Sequence, residues 1–319
     1  MSNRAPQAVA QRPGPLFIVG CARTGSTLLR HLLNRSSRIC LASETHFLAG
    51  RNGFRAERRL AAVLSAPEVE RSAALRRFAS DLAGPNGWRW LERNVGPDEL
   101  IERLSGTDLS PKEVFRALIG LYAERACADE RAEDGIVGEK TPAHLYAVPR
   151  LSEWFPRARF IHTMRDPRGI FASQLVRLRQ GRWGPKARVG WIPGALIDPL
   201  LAPYEAVRTR RAWLDAVRLD EQYRALFGDR YLLVRFEDLV TDPEHELRRV
   251  LAFLDLPYDP ALLSGAEVVG SSFAAVRHAG QGIDSSAATR WRSRVWRPWR
   301  AWFATTLRAE LARFGYPAA

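Results

Sequence analysis

The sequence predicts a three-layer α/β fold, with a central, mostly parallel sheet of about five strands and helices on both faces. Short apolar runs that read as strands alternate along the chain with segments whose apolar residues recur at helical spacing. This alternation is typical of βαβ units, whose parallel strands are buried on both faces. The chain has 319 residues, 46% of them hydrophobic, which is enough to enclose a sizeable core.

Each predicted strand is a short apolar run. The five are PLFIVG at 15–20, RICLA at 38–42, IVGEKTP at 136–142 with its closing turn, RFIHTM at 159–164 and YLLVRFEDL at 231–239. The helices between them have recognisable beginnings, because a capping side chain followed by proline favours a first helical turn. Such pairs are Ser110-Pro111 (with Glu113 completing a capping box), Asp166-Pro167 and Asp242-Pro243.

We expect one domain over residues 15–319, preceded by a flexible leader at 1–14. Within the domain we expect a helical insertion at about 54–130, a Gly- and Pro-rich apolar lid loop at about 181–203, and a basic, Trp-rich segment at about 285–319. No apolar run has the length that a membrane-spanning helix needs. The leader lacks the apolar core of a secretory signal.

The chain is strongly basic, with 48 Lys and Arg against 35 Asp and Glu, a net charge of +13. Anionic partners are therefore expected: nucleotide phosphates, nucleic acid, acidic lipid or an acidic substrate. The three cysteines form no CxxC pair. We therefore expect neither a structural zinc site nor a disulfide framework, and a reducing, cytoplasmic location. The sequence leaves the oligomeric state open.

Charged side chains follow four of the predicted strands. Arg23 follows the first strand, Glu44 and His46 the second, Lys140 the third and Arg165 the fourth. Because the carboxyl ends of parallel strands meet at one edge of the sheet, where ligands of such folds bind, these groups should share one rim. Three cations and a carboxylate on one rim predict an anion site with a possible base.

The turn after the first strand is close to a phosphate-binding loop of the Walker A type, which makes the predicted fold P-loop-like. Its pattern is Gly20-x-x-x-x-Gly25-Ser26-Thr27, with Ser26 where that loop has lysine. Backbone amides and a helix N-terminus in such a loop cradle a phosphate. Without the lysine, a triphosphate with Mg²⁺ is less favoured. The alternative is a glycine-containing βα turn without a ligand.

Five segments together resemble sulfotransferases that use 3′-phosphoadenosine 5′-phosphosulfate (PAPS), in particular bacterial members related to the tyrosylprotein and carbohydrate enzymes. The segments are VGCARTGSTLL, ASETHFL, GEKTP, TMRDPRGIFASQ and VRFEDLVTDPEHELRRVLAFLDLPYDP. The match runs from residue 15 to about 260, with a weaker one at 285–291. The sequence departs from the family pattern at Arg23, where cytosolic members have lysine, and at His46, where tyrosylprotein enzymes have arginine. These departures leave the acceptor class open.

The resemblance implies PAPS as co-substrate, no metal, and a role for each matching residue. The 5′-phosphosulfate would be held by Arg23, Thr24, Gly25, Ser26 and Thr27. The 3′-phosphate would be held by Arg165 and Ser173, and Ser285, Arg290 and Trp291 would fold over the nucleotide. Lys140, with Arg23, would hold the sulfuryl and bridging oxygens.

Glu44 is the candidate general base, since a carboxylate near the sulfuryl group can accept the proton of an acceptor hydroxyl. Two alternatives stay open. His46 is a second candidate for the base, and Glu44 can instead be the ion-pair partner of an arginine.

We therefore predict sulfuryl transfer from PAPS to a hydroxyl on a small molecule, glycan or lipid. The alternatives are a P-loop kinase using ATP and Mg²⁺, and a non-catalytic basic module that binds nucleic acid; we expect no nucleic-acid partner. The Trp- and Arg-rich segment from 285 onward is open to three interpretations: it covers the nucleotide, it packs on the body of the protein, or it contacts an anionic membrane peripherally.

Overall fold

Five parallel strands form the centre of the protein in a computed structural model, which describes residues 13–48, 56–83, 88–127, 135–180, 194–264 and 282–317. The strands are β1 (Leu16–Gly20), β2 (Ile39–Ala42), β3 (Ile136–Lys140), β4 (Arg159–Met164) and β5 (Tyr231–Arg235), in the spatial order β2-β3-β1-β4-β5. The predicted fold class is confirmed. The last strand is shorter than predicted, because helix α10 (Phe236–Thr241) begins directly after Arg235.

The three helices for which a cap was predicted begin directly after it, at Pro111, Pro167 and Pro243. The helices are α1 (Ser26–Leu33), α2 (Ala56–Leu64), α3 (Glu68–Leu82), α4 (Arg89–Asn94), α5 (Pro97–Ser105), α6 (Pro111–Ala126), α7 (Val148–Trp154), α8 (Pro167–Arg179), α9 (Gly194–Phe227), α10, α11 (Pro243–Phe253), α12 (Trp291–Arg294), α13 (Arg297–Thr306) and α14 (Arg308–Arg313). The Ser110 hydroxyl accepts from the amide of Glu113 at 3.3 Å, and Asp166 from that of Arg168 at 2.8 Å. Short 3₁₀ turns lie at Pro142–Ala147, Gly228–Arg230, Pro260–Leu262 and Ser285–Ala288.

Alternate residues of β1 enter two different cores. Phe17 and Val19 face a core that includes Phe115 of α6 and Phe160 of β4, with the Phe17 and Phe160 ring centroids 5.7 Å apart. Leu16 and Ile18 face the opposite core, which contains residues of α1 and α11. A strand buried on both faces explains why its sequence is a continuous apolar run.

Part of the predicted lid loop, residues 181–203, is helical. Residues 194–203 form the first turns of α9, with Pro199 and Pro203 inside the helix, so this part of the prediction is wrong. Leu201, Ala202 and Ala206 are buried in a third core together with α8, and this packing outweighs the helix-breaking residues. The rest of the predicted lid, 181–193, and the leader residues 1–12 lie outside the described residues.

Cys40 and Cys127 are joined in a disulfide, against the expectation from the sequence. The two residues are 87 positions apart in the chain, but β2 and the end of α6 bring their Cα atoms to 6.2 Å. Sequence spacing carries no information about such a contact. The third cysteine, Cys21, takes no part in a disulfide and donates its thiol proton to the Ala212 carbonyl at 3.2 Å.

The basic C-terminal segment packs mainly on the body of the protein. Trp291 is buried, Trp299 and Trp302 are partly buried against the third core, and Trp296 is 71% exposed. No helix in the described part of the chain combines the length and apolar character needed to cross a membrane. Peripheral membrane contact stays a prediction.

Candidate active site

The loop between β1 and α1 turns through two residues with positive φ and is tied down by the hydroxyl of Thr24. Arg23 and Gly25 both adopt left-handed backbone conformations, with φ of 77° and 82°. A Cβ on Gly25 would lie 2.4 Å from the Phe236 ring, so the turn requires glycine. The Thr24 hydroxyl fixes the loop through the Cys21 carbonyl at 2.8 Å and the Thr163 hydroxyl at 2.7 Å. Ser26 and Thr27 follow in the first turn of α1, where no side chain caps the helix.

Arginine side chains from the loop and from α8 meet beside this turn. Arg23 Nε donates to Ser173 Oγ at 2.7 Å, and no ion pair within the described ranges joins Arg23 to a carboxylate. Burial, and then the charges of Arg177 and Arg165, lower the pKa of Arg23 to about 10. Three neighbouring guanidinium groups repel one another, and an anion bound between them would relieve that repulsion.

Arg165 lies on the other side of the loop, at the end of β4. Its terminal nitrogens donate to the carbonyls of Arg23 at 3.3 Å and Ala287 at 3.0 Å. The guanidinium carbon lies 4.0 Å from the centroid of the Phe236 ring, and the buried Nε has no hydrogen-bond partner among the described residues. Burial lowers the pKa of Arg165. Backbone carbonyls hold its terminal nitrogens, and in the described part of the chain the charges of Glu237 and Asp166 act on Arg165 without forming an ion pair with it.

Glu44, Lys140 and His46 form a second group at the rim. Lys140 Nζ lies 2.5 Å from Glu44 Oε1, and His46 Nε2 lies 3.1 Å from Glu44 Oε2. Lys140 is 3% exposed, whereas the Glu44 side chain is 40% exposed. Burial opposes ionisation of Glu44, but the hydrogen bond from His46 and the charge of Lys140 hold its pKa well below the usual range. Glu44 is thus ionised, and part of its side chain is open to solvent.

Three residues were predicted to fold over the nucleotide: Ser285, Arg290 and Trp291. The first two belong to a segment that interacts with Arg165, whereas the third is buried in the protein. Ser285 begins the 3₁₀ turn whose Ala287 carbonyl contacts Arg165. Arg290 pairs with Asp284, and its charge acts on Arg165. Trp291 is buried, with its ring 4.0 Å from the guanidinium carbon of Arg168.

Two residues beside the site were not predicted from the sequence. Arg177 lies four positions after Ser173 on α8, so helical spacing places both on one face and could have indicated it. Phe236 covers both Gly25 and Arg165, and no local pattern indicated it. In the parts of the chain with described side chains, no three His, Cys, Asp or Glu residues are grouped to hold a metal ion.

A model of the sulfotransferase family matches residues 15–260, a span that contains the loop, both arginines and the Glu44–Lys140 pair. The chain belongs to the sulfotransferase family. We refer to it below, by its family, as this sulfotransferase.

Curated relatives of this sulfotransferase come from bacteria and animals. It is 28% identical over 275 residues to the omega-hydroxy-beta-dihydromenaquinone-9 sulfotransferase Stf3 of Mycobacterium tuberculosis, covering 80% of this chain and 66% of that protein. It is 27% identical over 159 residues to a protein-tyrosine sulfotransferase of Drosophila melanogaster, covering 50% and 28%. The chain thus spans just under two thirds of the first relative and under one third of the second.

Two solved structures share the fold of this sulfotransferase. The sulfotransferase domain from the curacin biosynthetic pathway aligns with a TM-score of 0.58 at 19% identity, over 96% of this chain and 98% of that one. The domain from the Synechococcus PCC 7002 olefin synthase aligns with a TM-score of 0.51 at 23% identity, over 92% and 93%.

Proposed function

We propose that this sulfotransferase moves the sulfuryl group of PAPS to a hydroxyl acceptor by in-line transfer, with Glu44 as general base and without a metal ion. The observation that carries the proposal is that two charged groups follow the carboxyl ends of neighbouring parallel strands, with the charge of Glu44 acting on Arg23. One is the glycine turn with its buried arginines Arg23 and Arg165, and the other is the ionised Glu44 paired with Lys140.

The first group fits the two anionic ends of PAPS. Backbone amides at the start of α1 suit the 5′-phosphosulfate, because helix N-termini bind phosphate and sulfate oxygens. Arg165 and Ser173 suit the 3′-phosphate, because a guanidinium can bind two oxygens of one phosphate. Arg23 is bonded to Ser173 and can contribute positive charge to either anionic end of PAPS.

The second group fits the chemistry. The acceptor hydroxyl gives its proton to Glu44 while its oxygen forms a bond to sulfur on the side opposite the leaving group. The bond between sulfur and the bridging phosphate oxygen breaks, and its electron pair leaves with 3′,5′-adenosine bisphosphate. Lys140 provides positive charge where negative charge develops at the bridging oxygen.

The Glu44–Lys140 pair also explains how a carboxylate with a low pKa can serve as base. While Lys140 is paired with Glu44, the carboxylate is a weak proton acceptor. When Lys140 turns to the bridging oxygen of the donor, Glu44 loses that partner, and its pKa rises towards a value useful for proton transfer. A transferring sulfuryl group carries less charge than a phosphoryl group, so amides and cations can take the place of Mg²⁺.

The acceptor is proposed to be a hydroxyl on a small molecule, glycan or lipid, and a lipid alcohol is the first class to test. The Mycobacterium tuberculosis relative is named for an omega-hydroxy menaquinone derivative.

The test is transfer of label from [³⁵S]PAPS in the presence of EDTA, with a prenyl alcohol, a phenol, a tyrosine peptide and a disaccharide as acceptors. We expect labelled product from at least one class, and we expect 3′,5′-adenosine bisphosphate without metal to raise the melting temperature more than ATP with Mg²⁺ or a short DNA duplex. Stabilisation by ATP with Mg²⁺ alone would favour a kinase instead, and stabilisation by DNA alone would favour a nucleic-acid-binding module.

A further inference from the structure

Directly beneath the Glu44–Lys140 pair lies a second, fully buried set of polar side chains with no part in the transfer described above. Its members are Thr45, Glu139, Thr141 and His144, and each is at most 2% exposed. A buried carboxylate is costly unless its oxygens are well satisfied, so this group calls for an explanation.

The two sets are connected residue by residue. Glu44 and Thr45 are consecutive, and so are Lys140 and Glu139, their partners on β3. Lys140 pairs with Glu44, and Thr45 Oγ1 donates to Glu139 Oε2 at 2.6 Å. Because Thr45 is bound to Glu139, its neighbour Glu44 is placed opposite Lys140.

The segment that carries Glu44 depends on these contacts because it has no regular secondary structure between Ala42 and Leu48. Its amides bind the buried set instead. The Thr45 amide donates to Thr141 Oγ1 at 3.1 Å, the Phe47 amide to Thr45 Oγ1 at 3.2 Å, and the Leu48 amide to His144 Nε2 at 3.0 Å.

The protonation state of the buried set follows from its hydrogen bonds. Since His144 Nε2 accepts from the Leu48 amide, the ring proton of a neutral His144 is on Nδ1, which contacts Glu139 Oε1. Burial opposes the ionisation of Glu139, but His144 and the hydroxyls of Thr45 and Thr141 lower its pKa. The carboxylate is thus ionised. Its Oε2 binds Thr45 of the segment directly, and its Oε1 contacts His144, which in turn binds the Leu48 amide.

We propose that Thr45, Glu139 and His144 are positioning residues, which hold the Glu44 carboxylate at the distance and angle that proton transfer from the acceptor requires. This inference rests on the proposed role of Glu44 as base. The physical reason is that a displacement of about 1 Å at a reacting group can lower turnover by about 100-fold.

The test is a double-mutant cycle between Thr45→Val and Glu44→Gln. Turnover is measured with the acceptor that gives the most labelled product in the panel above, or with water if none does. Thr45→Val alone should lower turnover by about 10- to 100-fold, with the affinity for 3′,5′-adenosine bisphosphate within about 3-fold of wild type. In the Glu44→Gln background the same substitution should cost less than about 3-fold, because the base that it positions is already gone.

Two further variants separate positioning from a loss of core stability. Thr45→Ser keeps the hydroxyl and should retain turnover within about 3-fold of wild type. Thr209→Val is the matched control, since the buried Thr209 hydroxyl also donates to a buried glutamate, Glu205, at 3.3 Å. Thr209→Val should lower the free energy of unfolding but should not lower turnover in the way that Thr45→Val does. Hydrogen exchange of the peptide 41–48 should accelerate in Thr45→Val while the β1 and β4 amides keep their protection.

The outcomes against the proposal are distinct from failure of the proposed function. Wild-type turnover in Glu44→Gln would remove the base and this inference with it. If Glu44→Gln is slow but Thr45→Val lowers turnover equally in both backgrounds, the inference alone is overturned. Equal losses of turnover and donor affinity, or exchange accelerated throughout the sheet, would overturn it too. If Thr45→Val does not fold, Glu139→Gln takes its place in the same cycle.

Discussion

Arg23 Nε donates to Ser173 Oγ at 2.7 Å, which joins the loop after β1 to the helix after β4 across 150 positions of the chain. Each residue belongs to a different anion-binding segment of the proposed donor site. If the proposed donor site is right, their direct contact makes the subsites for the two ends of PAPS continuous, with Arg165 bonded to the Arg23 carbonyl. Predictions about either end must therefore separate local binding from damage to the shared structure.

Removal of Arg165 tests the 3′-phosphate subsite. Arg165→Ala should weaken binding of 3′,5′-adenosine bisphosphate by about 2–4 kcal/mol, the usual loss when one partner of a desolvated charge pair is removed. Adenosine 5′-phosphosulfate, which lacks the 3′-phosphate, should lose much less affinity. Isothermal titration with both nucleotides checks this, and equal losses for the two would show that Arg165 acts only through the loop.

Replacement of Glu44 separates binding from chemistry. Glu44→Gln keeps the size and a hydrogen-bond acceptor for Lys140 but removes the basicity. We expect turnover to fall by about 10²–10⁴, the usual contribution of a positioned base, with donor affinity within a few-fold of wild type. If His46 is the base, His46→Ala should abolish turnover while Glu44→Gln stays active.

The pH dependence of turnover provides an independent test of the same site. Because the pKa of Glu44 in the free protein is held down by His46 and Lys140, its carboxylate stays ionised as the pH falls past about 4.3, the usual pKa of a glutamate. His46→Ala removes one of these groups and should raise that pKa. The acid limb of kcat/KM, which reports the free enzyme, should therefore move to higher pH in His46→Ala, as measured over the range in which the fold is intact. An unshifted limb would contradict the contact between the two side chains.

Glu237 should make folding stability depend on pH. Burial raises the pKa of its carboxyl to about 7, above its value in the unfolded chain. The folded state therefore binds this proton more tightly than the unfolded state does. The resulting contribution of Glu237 to the free energy of unfolding is present in full below about pH 4 and is lost as the pH rises through about 7. Glu237→Gln keeps an acceptor for the Asp166 amide, which donates to Glu237 at 3.0 Å.

We expect the free energy of unfolding of wild type to fall by about 1–3 kcal/mol more than that of Glu237→Gln between pH 5 and 8. Urea unfolding at four pH values measures this difference. Glu153→Gln, at a side chain that is 76% exposed, is the control and should follow wild type. Parallel curves for Glu237→Gln and wild type would show that Glu237 is ionised throughout.

The disulfide between Cys40 and Cys127 should be visible chemically and in stability. The denatured, unreduced chain should expose one thiol, that of Cys21, and three after reduction. Because the bond closes a loop between residues 87 positions apart, reduction should lower the free energy of unfolding by about 2–4 kcal/mol. Cys127→Ser should be as unstable as reduced wild type, with or without reductant. Three reactive thiols before reduction would mean that the disulfide does not form.

Local sequence patterns accounted for most of the architecture. The apolar runs predicted all five strands because burial on both faces leaves no polar alternation in a parallel strand. The caps at Ser110 and Asp166 were readable because such a bond joins residues two or three positions apart. Packing overrode the local signal at 194–203, where the Gly- and Pro-rich sequence indicated a loop and the chain forms a helix.

The sequence by itself determined the fold class, the loop after β1 and the charged residues that follow four of the five strands, since all of these are encoded within short stretches of chain. The tertiary structure alone decided which of those residues meet. It paired Arg23 with Ser173 and Glu44 with Lys140, placed Phe236 over Arg165, and joined Cys40 to Cys127. These contacts join residues from 71 to 150 positions apart. They depend on strand order and helix packing, which are set by the burial of the whole chain rather than by any local pattern.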